Sequence, residues 1–185
     1  MKKTVLIVLA EGFEEIEAVT PIDVFRRAGF EVTVAGEGSS VVEGAHGIRI
    51  STDILMSDFH GLPDAVVLPG GMPGAENLAK SKILSDLLSK MSKENRWIAA
   101  ICAAPAKVLA PLGLLKGKKA TCYPGYEKEL TASGAIFSTD RVVVDGQVIT
   151  SRGPGTALEF SLEFVRNLAD DKTADKLVKA LLAKA

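Results

Sequence analysis

Residues 4–10, TVLIVLA, are followed by EEIEAVTPIDVFRRAG at 14–29 and then by FEVTVAG at 30–36. An unbroken aliphatic and β-branched run has no polar side to show to water, so it needs cover on both faces of a sheet. The middle segment has helical period, and Gly29 supplies its C-terminal cap. Together they predict a β-α-β unit, which commits the chain to parallel strands with helices packed against them.

The alternation continues. SVVEG and IRIST predict a short hairpin, DAVVLPGG (64–71) a buried strand ending in a turn, and SKILSDLLSKMSKENR (81–96) an amphipathic helix. WIAAIC (97–102) predicts a strand, AAPAKVLAPLGLL (103–115) a helix, and KKATCY (118–123) another strand. RVVVDGQVITSRG (141–153) predicts a hairpin turning at Asp145-Gly146, and two helices close the chain over 156–169 and 172–184. The expected architecture is an α/β three-layer α/β/α sandwich with a mostly parallel central sheet. With no internal repeat or linker, residues 1–185 form one domain.

The formal net charge is −1 and the basic residues are scattered, which argues against a nucleic-acid or membrane-surface partner. MKKTVLIVLAEGFEE begins like a signal peptide, but its apolar run stops at Glu11 and no small-residue cleavage site follows. The expected location is therefore the cytoplasm. Cys102 and Cys122 form no CxxC, and His46 and His60 are the only histidines, so neither a metal site nor a disulfide is expected. No cofactor is implied.

In doubly wound sheets, ligands bind where strand C-termini meet helix N-termini. Cys102 falls at such a junction, with Ala103 and Ala104 opening a helix and Pro105 in its first turn. There the free N–H groups and the helix dipole would lower a thiol's pKa. A small buried packing residue fits the same position equally well. Four glutamates, Glu11, Glu14, Glu15 and Glu17, crowd the first strand-to-helix junction. Helical spacing puts Glu17 at the edge of the Phe13–Thr20–Val24 stripe and points Glu14 and Glu15 elsewhere. Pro21 withholds an N–H from the Glu17 carbonyl, which predicts local distortion. Desolvation on that face would raise the Glu17 pKa and make it a candidate acid/base. Gly70 and Gly71 permit a sharp turn, and the Gly71 N–H with that of Ala103 would form an oxyanion hole. Arg152 is either an anion-binding group or a surface loop arginine.

AEGFEEIEAVTPIDVFRRAG, VVLPGG, AAICAAPAKVLA and TSRGPGTALEF, in this order, resemble the DJ-1/ThiJ/PfpI superfamily and closely its DJ-1 branch. The resemblance implies a flavodoxin-like sandwich, a homodimer, Cys102 as nucleophile and Glu17 as its partner, with the amides of Gly71 and Ala103 taking the oxyanion. It implies cofactor-free glyoxalase III or deglycase chemistry on a small aldehyde or dicarbonyl. The alternative is a stress protein that senses oxidation through Cys102. Three positions depart from the family pattern. Ala104 replaces a common glycine, Ala103 stands where protease-like relatives carry histidine, and Tyr123 occupies the place of a common histidine. A Cys-His peptidase is therefore a weak reading, and Tyr123 with Gly70 and Arg152 become tentative pocket residues.

Overall fold

β1 (Thr4–Leu9), α1 (Glu15–Arg27) and β2 (Glu31–Gly36) form the opening β-α-β unit in the computed structural model, which describes residues 2–183. Next come β3 (Val41–Glu43), β4 (Arg49–Ser51), β5 (Ile54–Leu55), β6 (Ala65–Leu68), α2 (Gly74–Lys80), α3 (Lys82–Lys93) and β7 (Trp97–Ile101). A π-helical turn (Pro105–Leu109) precedes β8 (Lys119–Ala120), α4 (Glu127–Ala132), β9 (Ile136–Phe137), β10 (Val142–Asp145), β11 (Val148–Ser151), α5 (Ala157–Leu168) and α6 (Asp171–Ala180).

The central sheet has seven strands in the order β10-β11-β7-β6-β1-β2-β5. All neighbours are parallel except the edge hairpin β10–β11. Period-two alternation divides the strands between two cores. Val5, Ile7 and Leu9 join Ala65, Val67, Ala99 and Ile101 beneath Phe25 of α1 and Phe160 and Phe164 of α5. Leu6, Val8, Val66, Leu68, Ile98 and Ala100 face the other way, onto Leu84, Leu88 and Met91 of α3. The Phe25 and Phe164 rings meet at 4.4 Å between centroids, close enough for aromatic contact to add to burial. The flavodoxin-like sandwich is thus present, with a helical layer on each face. Among the described residues no helix is long and apolar enough to cross a membrane.

Several expectations need correction. The segment after Cys102 is not a helix over 103–115 but one π-helical turn followed by further turns. Its bonds run from Ala110 N to Pro105 O (2.9 Å) and from Leu114 N to Leu109 O (3.2 Å), five residues apart. Pro105 has no N–H to give to Ile101, so the ladder starts late and loosens. The strand expected over 118–123 spans only Lys119–Ala120 and pairs with Ile136–Phe137 outside the central sheet. α2 and α4 are too short for periodicity to reveal. The last helix ends at Ala180, and the expected end at 184 lies outside the described residues. α1 starts one residue later than expected and runs through Pro21.

At the start of α3, the Ser81 hydroxyl accepts from Leu84 N at 3.2 Å and donates to Glu37 at 2.8 Å. Ser81→Ala is expected to cost about 1 kcal/mol, the usual loss of an N-cap. In a chain of this size that lowers Tm by about 2–4 °C, measurable by differential scanning calorimetry.

Candidate active site

β1 sits at the switch point of the sheet, with β2 on one side and β6 on the other. Loops leaving the C-terminal ends of β1, β6 and β7 therefore converge there. The β1 loop and α1 bring Glu17, the β6 loop brings Gly70 and Gly71, and β7 delivers Cys102.

Cys102 adopts φ 65, the left-handed region that a residue with a Cβ rarely enters. Two long-range bonds hold it there. Its N–H donates to Ser151 O at 3.0 Å, and its carbonyl accepts from Tyr123 N at 2.9 Å. The turn thus projects the thiol away from the sheet in the manner of a nucleophile elbow. The backbone amides of Gly71 and Ala103 lie beside the thiol and act to lower its pKa.

Glu17 is fully buried, and its Oε2 accepts from Gly70 N at 2.8 Å. A Cβ at Gly70 would stand 2.6 Å from Cys102 Cβ, 2.8 Å from Glu17 Oε2 and 3.0 Å from Ala103 N. Cys102 and the Glu17 carboxyl group are therefore neighbours across the bare α-carbon of Gly70. Burial pushes the Glu17 carboxyl up to about 8, more than the Gly70 amide and Cys102 can offset. At neutral pH it holds a proton. Because Oε2 is already an acceptor, the proton belongs on Oε1, which is buried with no hydrogen-bond partner among the described residues.

Cys102 departs from the lowered pKa expected of its junction. Burial first, then the charge of Glu17, push the thiol up to about 12 despite the amides of Gly71 and Ala103. The second cause belongs to ionised Glu17. Once Glu17 carries its proton, that repulsion disappears. Cys102 and Glu17 therefore titrate as a pair, and the charge of one sets the proton of the other.

The thiol opens into a cavity of about 520 Å³ lined by Glu14, Gly71, Met72, Ala103, Tyr123, Pro124, Gly125, Tyr126 and Pro154. That lies within the roughly 300–1,000 Å³ of small-molecule sites. A slightly larger groove of about 590 Å³ beside α5 and α6 holds no cysteine. Tyr123 forms one wall, and Gly153 leaves room for its ring, since a Cβ there would come within 3.0 Å of it. Arg152 does not line the cavity. Its guanidinium lies 5.9 Å from the Phe137 ring centroid. Cys122 is fully buried in the α3-side core, whereas Cys102 belongs to the opposite one.

Glu14 and Glu15 do not project away, as helical spacing predicts. Both are buried, because α1 begins only at Glu15 and Glu14 keeps extended backbone (φ −83, ψ 120) outside the helical wheel. Glu15 accepts from the amides of His46 (2.7 Å) and Ile48 (3.4 Å) and lies 2.8 Å from His46 Nδ1. Burial works to raise it, but these bonds hold it below the ordinary carboxylate range. They also lift His46 above the usual histidine value. Glu14, Glu15 and His46 could hold a metal ion, with ligand atoms within 4.8 Å of one another, but His46 does not line the Cys102 cavity. Of the lining residues, sequence reasoning placed Glu14 elsewhere, gave Met72 and Pro154 no role within their strand-to-helix loops, and missed Pro124, Gly125 and Tyr126.

The model of the DJ-1/PfpI family matches residues 3–167. The protein DJ-1 homolog A of Arabidopsis thaliana is 45% identical over 98% of the chain, which spans 47% of that protein's length. The glutathione-independent glyoxalase DJR-1.2 of Caenorhabditis elegans is 38% identical, over 99% of this chain and 98% of that one. The structure of oxidized Toxoplasma gondii DJ-1 superposes with a TM-score of 0.93 at 38% identity, covering 99% of this chain and 100% of the other.

Proposed function

The chain belongs to the DJ-1/PfpI family, and from that premise we propose that it is a cysteine-dependent, cofactor-free glyoxalase or deglycase-type enzyme acting on small dicarbonyls such as methylglyoxal. The observation that carries the reading is the pairing of Cys102, at its strained turn, with a fully buried Glu17 that holds a proton at neutral pH. A relative named as a glutathione-independent glyoxalase adds family-level support.

The Cys102 thiol gives its proton to a solvent water as its sulfur adds to the aldehyde carbon of methylglyoxal, and the carbonyl π pair moves to oxygen beneath the amides of Gly71 and Ala103. Glu17 gives its proton to that oxygen, which completes a hemithioacetal. The resulting carboxylate then takes the proton from the same carbon. The enediol so formed is reprotonated at the neighbouring carbon to give a lactoyl thioester. Water hydrolyses the thioester, releasing lactate and restoring the thiol. One carbon is oxidised and its neighbour reduced, so the sequence consumes only water.

Methylglyoxal incubated with fully reduced protein, without added thiol or metal, is expected to yield lactate. The Cys102→Ala protein should yield none. A folded, reduced wild type that forms no lactate would sink the glyoxalase reading.

A second reading, an oxidation sensor, draws on the same geometry. The Gly71 and Ala103 amides that would hold an oxyanion would equally hold the oxygens of a sulfinate at Cys102, with Glu17 as donor. Peroxide modification of Cys102 in a protein inert toward aldehydes would favour it. Either reading is compatible with a homodimer, and the exposed Ile16 and Val19 on α1 support one.

A further inference from the structure

The cavity above Cys102 is larger than a three-carbon dicarbonyl requires, and its walls differ from its floor. Met72, Tyr123, Pro124, Tyr126 and Pro154 make the walls apolar and aromatic. One carboxylate, that of Glu14, stands among them, and no Lys, Arg or His lines the cavity among the described residues. Two cations flank the cavity without lining it, and Glu14 shares the first of them with Glu15. His46 Nδ1 lies 3.4 Å from Glu14 but 2.8 Å from Glu15, and its side chain is 71% exposed. Lys107 lies over the ring of Tyr126 and donates to Glu129 at 3.0 Å. The Glu14 charge also reaches the reacting pair, since it contributes to the raised pKa of Glu17. The amides of Gly71 and Ala103 can receive negative charge, but only at the reacting carbon.

Resting on the glyoxalase reading for the chemistry, we propose that Glu14 is a specificity-determining residue that fits the cavity to dicarbonyls bearing a neutral apolar or cationic substituent and excludes those bearing a carboxylate or phosphate. Aromatic walls beside a carboxylate suit an aryl, alkyl or ammonium group. A second anion at a few ångströms in a half-enclosed site meets a repulsion that is only partly screened.

The test uses three methanethiosulfonates that modify thiols at neutral pH: one neutral (2-hydroxyethyl), one cationic (2-trimethylammonioethyl) and one anionic (2-sulfonatoethyl). The Cys102→Ala protein corrects for any reaction at Cys122, and rates with 2-mercaptoethanol give each reagent's intrinsic reactivity. The corrected cation-to-anion rate ratio at Cys102 is expected to be roughly tenfold or more in the wild type. It should fall to within about twofold of unity in Glu14→Gln and persist in Glu14→Asp. Dividing by the neutral reagent's rate removes any change in thiol reactivity that Glu14 exerts through Glu17. A wild-type ratio near unity, or one equal in the wild type and Glu14→Gln, overturns the proposal. If Glu14→Gln fails to fold by circular dichroism, a ratio near unity in Glu14→Asp overturns it, and a preserved tenfold ratio supports it.

In turnover, a neutral arylglyoxal should be favoured over its 4-carboxylate by kcat/KM, and Glu14→Gln should narrow the gap. The labelling readout needs no catalysis. A charge ratio without lactate therefore sinks only the glyoxalase reading, and lactate without a charge ratio sinks only this one.

Discussion

Glu17→Gln is expected to reduce lactate formation by about 10²–10⁴-fold, the range for loss of a general acid–base, while making the folded protein more stable in alkali. Gln retains an oxygen for the Gly70 N–H but can neither give nor take a proton. The stability effect follows from the sign of the shift. Burial raises Glu17 from 4.5 to about 8, so the folded state holds the proton more tightly than the unfolded chain does. Below pH 4.5 both states are protonated and folding is not penalised. Between pH 4.5 and about 8 the unfolded chain ionises while the folded one resists, and stability falls until the folded pKa is passed. The accumulated loss is on the order of 5 kcal/mol, and Gln escapes it. Thermal melts of reduced protein from pH 5 to 9 should therefore start together and diverge. The variant would melt roughly 10 °C or more higher at pH 9, at about 2–4 °C per kcal/mol. Parallel curves across that range would mean that Glu17 is ionised in the folded protein at neutral pH.

Gly70→Ala is expected to lower kcat/KM by about 10²-fold or more, because misplacing a reacting group by an ångström has that effect. Gly70 does not need unusual backbone, so the penalty is one of space. The added methyl would fall between Cys102 Cβ at 2.6 Å and Glu17 Oε2 at 2.8 Å, with Ala103 N at 3.0 Å behind. Backbone and buried carboxyl have no flexible end to swing aside, so the pair must separate. Overpacking of this kind also destabilises by about 1–3 kcal/mol. Gly155→Ala is the control, since a Cβ at Gly155 has nothing within 4 Å. Wild-type kinetics in Gly70→Ala would show that Cys102 and Glu17 need not touch.

The sandwich and the candidate pair were legible from sequence because their signals are local. Strands buried on both faces announce themselves in TVLIVLA and WIAAIC, and Cys102 sits where one ends. Glu17 could be separated from its neighbours because it lies well inside α1, where helical geometry holds. Glu14 could not, since one extended residue at the helix start turns its side chain from solvent to cavity. The far wall was hidden for another reason. Pro124, Gly125 and Tyr126 lie between a two-residue strand and a six-residue helix, where no periodicity has room to show. The π-helical turn was hidden because an Ala-rich segment with proline in its first turn also reads as an α-helix start. The strand order depends on pairings far apart in the chain, such as β7 with β11, that no local pattern encodes.

Cys102 is held by Ser151 on one side and Tyr123 on the other, so its backbone geometry depends on three segments that meet only in the finished fold. A fragment, a folding intermediate or a chain with its β10–β11 hairpin detached would contain the same cysteine without the same environment. The thiol is thus a built-in gauge of structural integrity. Its distinctive reactivity should disappear in step with global unfolding, and a reagent added during denaturation would count native molecules one sulfur at a time.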